Sequence, residues 1–244
     1  IGRDDAHPSL RLRQRRQQGP AHPFERLVGT AGNPACQHGA GLREPWPPAL
    51  AAGLALYHLL ADGELNGQVI SAARDRNQSG LIYNASKAMV QADPDLAAHV
   101  NLIESQKRIV HYASGSYYVA IAADATRAHG LSPSFAGMDE MAQWPNRNLY
   151  DAISTATGGR EQPLLLTIST QSADRHSVMS ELTEYGRKVN AGVIDDPSFF
   201  AAIFEAPKES DPWAEATWRA ANPALGDFRS LDECRIAAVT AKPK

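Results

Sequence analysis

The sequence predicts an α/β three-layer sandwich on a mainly parallel sheet, and three observations carry that reading. Strand-like and helix-like stretches alternate from residue 49 onward, as successive βαβ units require. Residues 163–170, PLLLTIST, form an apolar run bounded by polar loops, the pattern of a buried strand. A second short run, Phe135-Ala136-Gly137-Met138, ends in two adjacent carboxylates, Asp139 and Glu140. In an open parallel sheet, ligands sit outside the carboxyl ends of the strands, so acids at such an end are candidates for chemistry.

Residues 1–48 stand apart from the rest. They hold 7 of the 16 prolines and 7 arginines but no lysine, and neither periodicity is visible in RLRQRRQQGP or REPWPP. They read as an irregular, disordered arm. From Ala49 the chain turns Ala/Leu-rich, with Leu50, Leu54, Tyr57 and Leu60 at helical spacing up to Asp62-Gly63. Residues 68–73 read as a strand, and about 75–91 as a helix with Leu81, Ile82, Ala85, Ala88 and Met89 on one face. Asp93-Pro94 starts a short helix through Val100, and residues 108–113 and 117–123 form a hairpin around Ser114-Gly115-Ser116. After the acid-tipped strand, 147–157 and 177–191 read as helices, and Asp196-Pro197 opens a further segment through Phe204. An acidic linker then leads to two short helices, 213–221 and 231–241, so that 49–205 is the body and 206–244 a small helical appendage.

The totals set bounds. A chain of 244 residues with 43% apolar and 21% charged residues can bury a sizeable core. A net charge of −3 does not mark the whole chain as a nucleic-acid binder. Cys36 and Cys234 match no metal or redox spacing and suit a reducing compartment. No apolar run is long enough to span a bilayer.

Two acids at a strand tip suit phosphate chemistry: one can hold a hydrated Mg²⁺ while the other orients or deprotonates the attacking water. An Asp-Glu pair also opens many solvated helices, so the pair alone does not decide the matter.

The pieces LAAGLALYHLLADGE, QVISAARDRNQSGLIYNASKAMV, HGLSPSFAGMDEMAQW, LYDAISTATGGREQPLLLTISTQS and DPWAEATWRAANPALGDFRSLDE, in this order and spacing, resemble the ATPase half of phage terminase large subunits. The resemblance covers residues 50–240 and implies a P-loop-NTPase-like sandwich that hydrolyses ATP with Mg²⁺ to package double-stranded DNA. It implies a homo-oligomeric ring, a portal protein and a terminase small subunit as partners, and the host bacterial cytoplasm as location. Residue by residue, Asp139 would hold the metal through water and Glu140 would be the catalytic carboxylate. Ser169, Thr170 and Gln171 would sense the γ-phosphate, and Arg74, Arg76 or Arg127 could serve a neighbouring subunit's ATP. For Ser169-Thr170-Gln171 a polar strand-to-helix turn is the plain alternative.

One departure matters. The family's Gly-Lys-Ser/Thr should fall near residues 46–49, where this chain has Trp46-Pro47-Pro48 and no lysine upstream. Prolines delete N–H donors of the kind that cradle phosphates. Residues 1–48 are therefore expected to be an out-of-frame reading of the native segment, and nucleotide binding is expected to be weak. The stretch 206–244 is expected to lead toward a nuclease domain that lies outside this chain. A helicase-like ATPase and a non-catalytic prophage remnant that binds DNA or protein are the competing functions.

Overall fold

A computed structural model describes residues 26–31, 46–123, 130–227 and 230–241. Among them, one eight-stranded sheet organises the body, in the order β3-β4-β5-β2-β6-β7-β1-β8. The strands are β1 (Arg26–Ala31), β2 (Gln68–Ala73), β3 (Val100–Ile103), β4 (Arg108–His111), β5 (Tyr117–Ala122), β6 (Pro133–Asp139), β7 (Leu164–Ser169) and β8 (Phe199–Phe204). The six from β5 to β8 in that order run parallel, while β3 and β4 form an antiparallel edge.

The helices are α1 (Trp46–Leu60), α2 (Arg76–Ala92), α3 (Pro94–His99), α4 (Asn148–Thr155), α5 (Val178–Asn190), α6 (Glu215–Ala221) and α7 (Leu231–Ala241). Adjacent strand residues point to opposite faces, and each face has its own core. Val69, Phe135 and Leu166 meet Ala51, Ala55 and Leu59 of α1 and Ile82 and Tyr83 of α2. Ile70, Ala136, Met138 and Leu165 meet Leu149 and Ile153 of α4 and Met179 and Leu182 of α5. The three layers anticipated from the sequence are thus present.

Local chemistry explains most boundaries. Asp75 caps α2, accepting from the N–H groups of Asn77 and Gln78, and Asp93 does the same for α3, with Pro94 in its first turn. Gly115 turns the β4–β5 hairpin at a positive φ of 68°, which a side chain at that position would disfavour. Gly186 lets α5 lie directly on β8: a Cβ there would come within 2.6 Å of the Ala201 Cβ.

Two expectations need correction. The segment 1–48 was expected to lack regular structure throughout, yet residues 26–31 form β1, inserted between β7 and β8, and 46–48 open α1. The remainder of 1–48 lies outside the described residues. Val100, read as the last residue of a short helix, instead opens β3, which pairs with β4. Tertiary pairing overrides local appearance in both.

The appendage has a core of its own. Trp218, Leu225, Cys234 and Ala238 pack together with Trp213 and Leu231 against them, and the Trp218 indole donates to the Pro212 carbonyl at 2.7 Å. Trp213 and Trp218 therefore anchor α6 to α7 within this small cluster.

Candidate active site at the carboxyl edge

β6 and β7 are neighbours in register, Asp139 opposite Ile168, so Glu140 and Ser169 leave the sheet side by side. Asp139 and Glu140 are both half-buried. Glu140 adopts a left-handed backbone, φ 49° and ψ 43°, and starts a single 3₁₀ turn over Met141–Gln143. For a residue with a side chain this conformation costs about 1–3 kcal/mol and persists only where neighbours enforce it.

Several bonds enforce it. The Glu140 N–H donates to the Ile168 carbonyl at 2.9 Å. The Ala142 N–H donates to Ser169 Oγ at 2.9 Å. The Trp144 indole N–H donates to the Asp139 carbonyl at 3.0 Å. The Gln143 amide reaches Glu140 Oε2 at 3.3 Å. Met141 is buried in the core shared with α4 and α5, which pins the turn from below. Trp144 and Gln143 carry no sequence signal beyond lying within five residues of the acids.

The three residues after β7 do different things. Ser169 is only 4% exposed, and its hydroxyl donates to the Thr170 carbonyl at 3.0 Å while accepting from Ala142. Thr170 is half-buried. Gln171 is exposed, and its amide reaches Ser180 Oγ on α5 at 3.4 Å.

The arginines separate as well. Arg74 is exposed and follows β2 directly; Ala72 pairs with Met138, so Arg74 leaves the same edge beside the acids. Arg76 is the first residue of α2, and its side chain lies outside the described residues, as does all of Arg127. Nearby Arg147 pairs with Asp151 at 2.9 Å and with Glu181 at 3.4 Å, tying α4 to α5. Its guanidinium pKa is pushed up, first by the bond to Asp151.

β1 brings the remaining connection to this edge. Thr30 pairs with Ser169 and Ala31 with Phe204, so the chain leaves β1 beside β7 on its way to α1. A helix N-terminus beyond a parallel strand is a ready anion site when its N–H groups are available. Here α1 opens with Trp46-Pro47-Pro48, and two of its first residues have no N–H. Those of α2 at Asn77 and Gln78 are taken by Asp75.

Chemically, the edge offers hard oxygen donors suited to a hydrated divalent cation held through one or two carboxylates. Among the described residues there is no group of three or more His, Cys, Asp or Glu able to hold a metal by itself. A single half-buried carboxylate such as that of Asp139 could hold a divalent cation only of the kind that keeps most of its waters.

A family model described as the ATPase domain of the terminase large subunit matches residues 48–188. The chain belongs to that family. The terminase large subunit of Enterobacteria phage HK97 is 35% identical over 216 residues, which is 85% of this chain and 42% of that protein. The crystal structure of the HK97 large terminase superposes with a TM-score of 0.75 at 31% identity, covering 89% of this chain and 43% of that one. The large-terminase ATPase domain of Thermus phage P74-26 shares the fold, with a TM-score of 0.58 at 17% identity over 83% of this chain and 82% of that one. This terminase chain thus spans about two fifths of the length of its HK97 relative. No helix among the described residues is long and apolar enough to cross a membrane.

Proposed function

We propose that this chain is the ATP-hydrolysing part of a phage DNA-packaging motor, with Glu140 as general base and Asp139 as the ligand of a hydrated Mg²⁺. The observation that carries this reading is the left-handed turn at Glu140, which takes the chain out of the sheet directly after Asp139 at the end of β6. Strained, over-determined backbone at a strand tip is where working carboxylates collect. Bound Mg²⁺ would neutralise phosphate charge; Glu140 would take the proton of the attacking water, and Asp139 would orient the metal's waters. Ser169, Thr170 and Gln171 would couple the phosphate's departure to the sheet edge, and Arg74 would reach a neighbouring subunit in a homo-oligomeric ring. Double-stranded DNA, a portal protein and a terminase small subunit are the partners, met in the host bacterial cytoplasm.

A second reading, a non-catalytic remnant, is favoured by one specific observation: no lysine precedes Lys87, and prolines occupy the first turn of α1. Phosphate release from Mg–ATP, with and without double-stranded DNA, separates the two. Hydrolysis that falls at least about 100-fold in Glu140→Gln supports the motor. Hydrolysis that survives this change sinks the assignment of the base. Titration of a fluorescent ATP analogue should show weak binding, and micromolar affinity would overturn the importance given to the missing lysine.

A further inference from the structure

We infer that Ser169 is a positioning residue for Glu140, acting on the turn that carries the base rather than on a phosphate; this rests on the reading of Glu140 given above. Its buried hydroxyl is committed within the protein. The one proton goes to the Thr170 carbonyl, and the lone pairs face the Ala142 N–H. The preceding β7 residue, Ile168, takes the Glu140 N–H. Two consecutive residues of β7 therefore grip the acid turn at positions 140 and 142, on either side of the buried Met141. The grip is also conditional. The carbonyl that orients the Ser169 hydroxyl belongs to Thr170, which is followed by exposed Gln171 at the open edge. A rotation of the Thr170 peptide removes that acceptor and frees the hydroxyl to turn away from Ala142. The strain held at Glu140 then has one restraint fewer, and its carboxylate leaves the working position. The end of β7 thus sets the aim of the base by a hydrogen-bond exchange, without itself touching substrate.

The test is made first on the ligand-free chain, by amide exchange at Ala142 and the ¹³Cδ resonance of Glu140. In Ser169→Ala, Ala142 should exchange at least about tenfold faster and the Glu140 resonance should move, while Ser169→Thr stays close to the native values. If Ser169→Ala does not fold, Ser169→Cys, which keeps the volume but bonds weakly, is measured in the same way. Unchanged protection at Ala142 overturns the inference, and so does a loosened Ala142 with an unmoved Glu140. Neither readout needs ATP turnover, so they stand apart from the Glu140→Gln assay that tests the base itself. Where turnover is measurable, Ser169→Ala should lower kcat about tenfold at constant KM. A raised KM at constant kcat would instead put the hydroxyl on the substrate and overturn the inference.

Discussion

The two halves of the carboxyl edge are built to different standards. At β6 and β7 the backbone is held by paired strands, a buried Met141, a buried Ser169 and an indole bond, all acting on the turn that follows Asp139. At β1 the strand ends beside Ser169 and α1 is the next described element, an order of elements suited to a phosphate site. The chemistry there is not: the chain supplies prolines where a phosphate grip needs N–H groups and a lysine. On the proposed reading, the fold holds the acid turn firmly while the segment entering α1 lacks the residues of a phosphate grip.

The sharpest test restores the deficient half. Gly41 already stands five residues before Trp46, so Trp46→Gly, Pro47→Lys and Pro48→Thr together complete a Gly-x₄-Gly-Lys-Thr run into α1. Hydrolysis and nucleotide affinity should rise by about 100-fold or more, the scale of adding preorganised donors to a developing charge. No gain would break the comparison, because the catalytic half would then not be complete either.

Smaller effects probe the well-built half. Gly186→Ala should push α5 off β8, since its Cβ would meet Ala201; we expect a loss of about 1–2 kcal/mol in urea unfolding, after the gain in helix propensity. Hydrolysis should fall with it, because α5 packs beneath the acid turn through Met179 and Met141. Tyr118→Phe is the contrasting change on the opposite face. Its buried hydroxyl, whose pKa burial raises, donates to Ser71 Oγ at 2.6 Å, while Ser71 donates to the Ser79 carbonyl. Stability should fall by about 1 kcal/mol in urea unfolding with the acid turn unaffected. Equal damage to the Glu140 resonance would show that the two faces are not independent.

The smallest effect lies in the appendage. Glu215 bonds Arg219 and Arg235, which hold its carboxyl below the usual range, the Arg219 bond first. A carboxyl lowered on folding stabilises above its unfolded value and loses that contribution as pH falls through the lowered one. Fluorescence of Trp218 should therefore report loosening of α6 and α7 in acid, and Glu215→Gln should show it already at neutral pH. An acid transition identical in the variant would remove Glu215 as the cause.

Much of this architecture was legible beforehand, and the misses have physical causes. The strands read at 68–73, 135–138 and 163–170 announced themselves because both faces are covered, so nearly every residue is apolar or small. β1 did not, because RLVGTA is six residues long amid Pro- and Arg-rich sequence, and its pairing with β7 and β8 is a matter of register. β3 was hidden by continuity with the helix before it. At the site, Asp139 and Glu140 were readable as a strand-tip pair and Ser169 as a polar strand end. That Ser169 bonds the turn behind Glu140 was not readable, since it links residues 27 apart in sequence.

Composition, periodicity and capping residues determined the layered fold, the positions of most elements and the identity of the acid pair, because these follow from local burial and local hydrogen bonding. The order of strands, the place of β1 between β7 and β8, the left-handed turn at Glu140 and the clasp from Ser169 were decided only in three dimensions. Each depends on which distant backbone groups come within hydrogen-bonding reach, and a one-dimensional pattern carries no information about that.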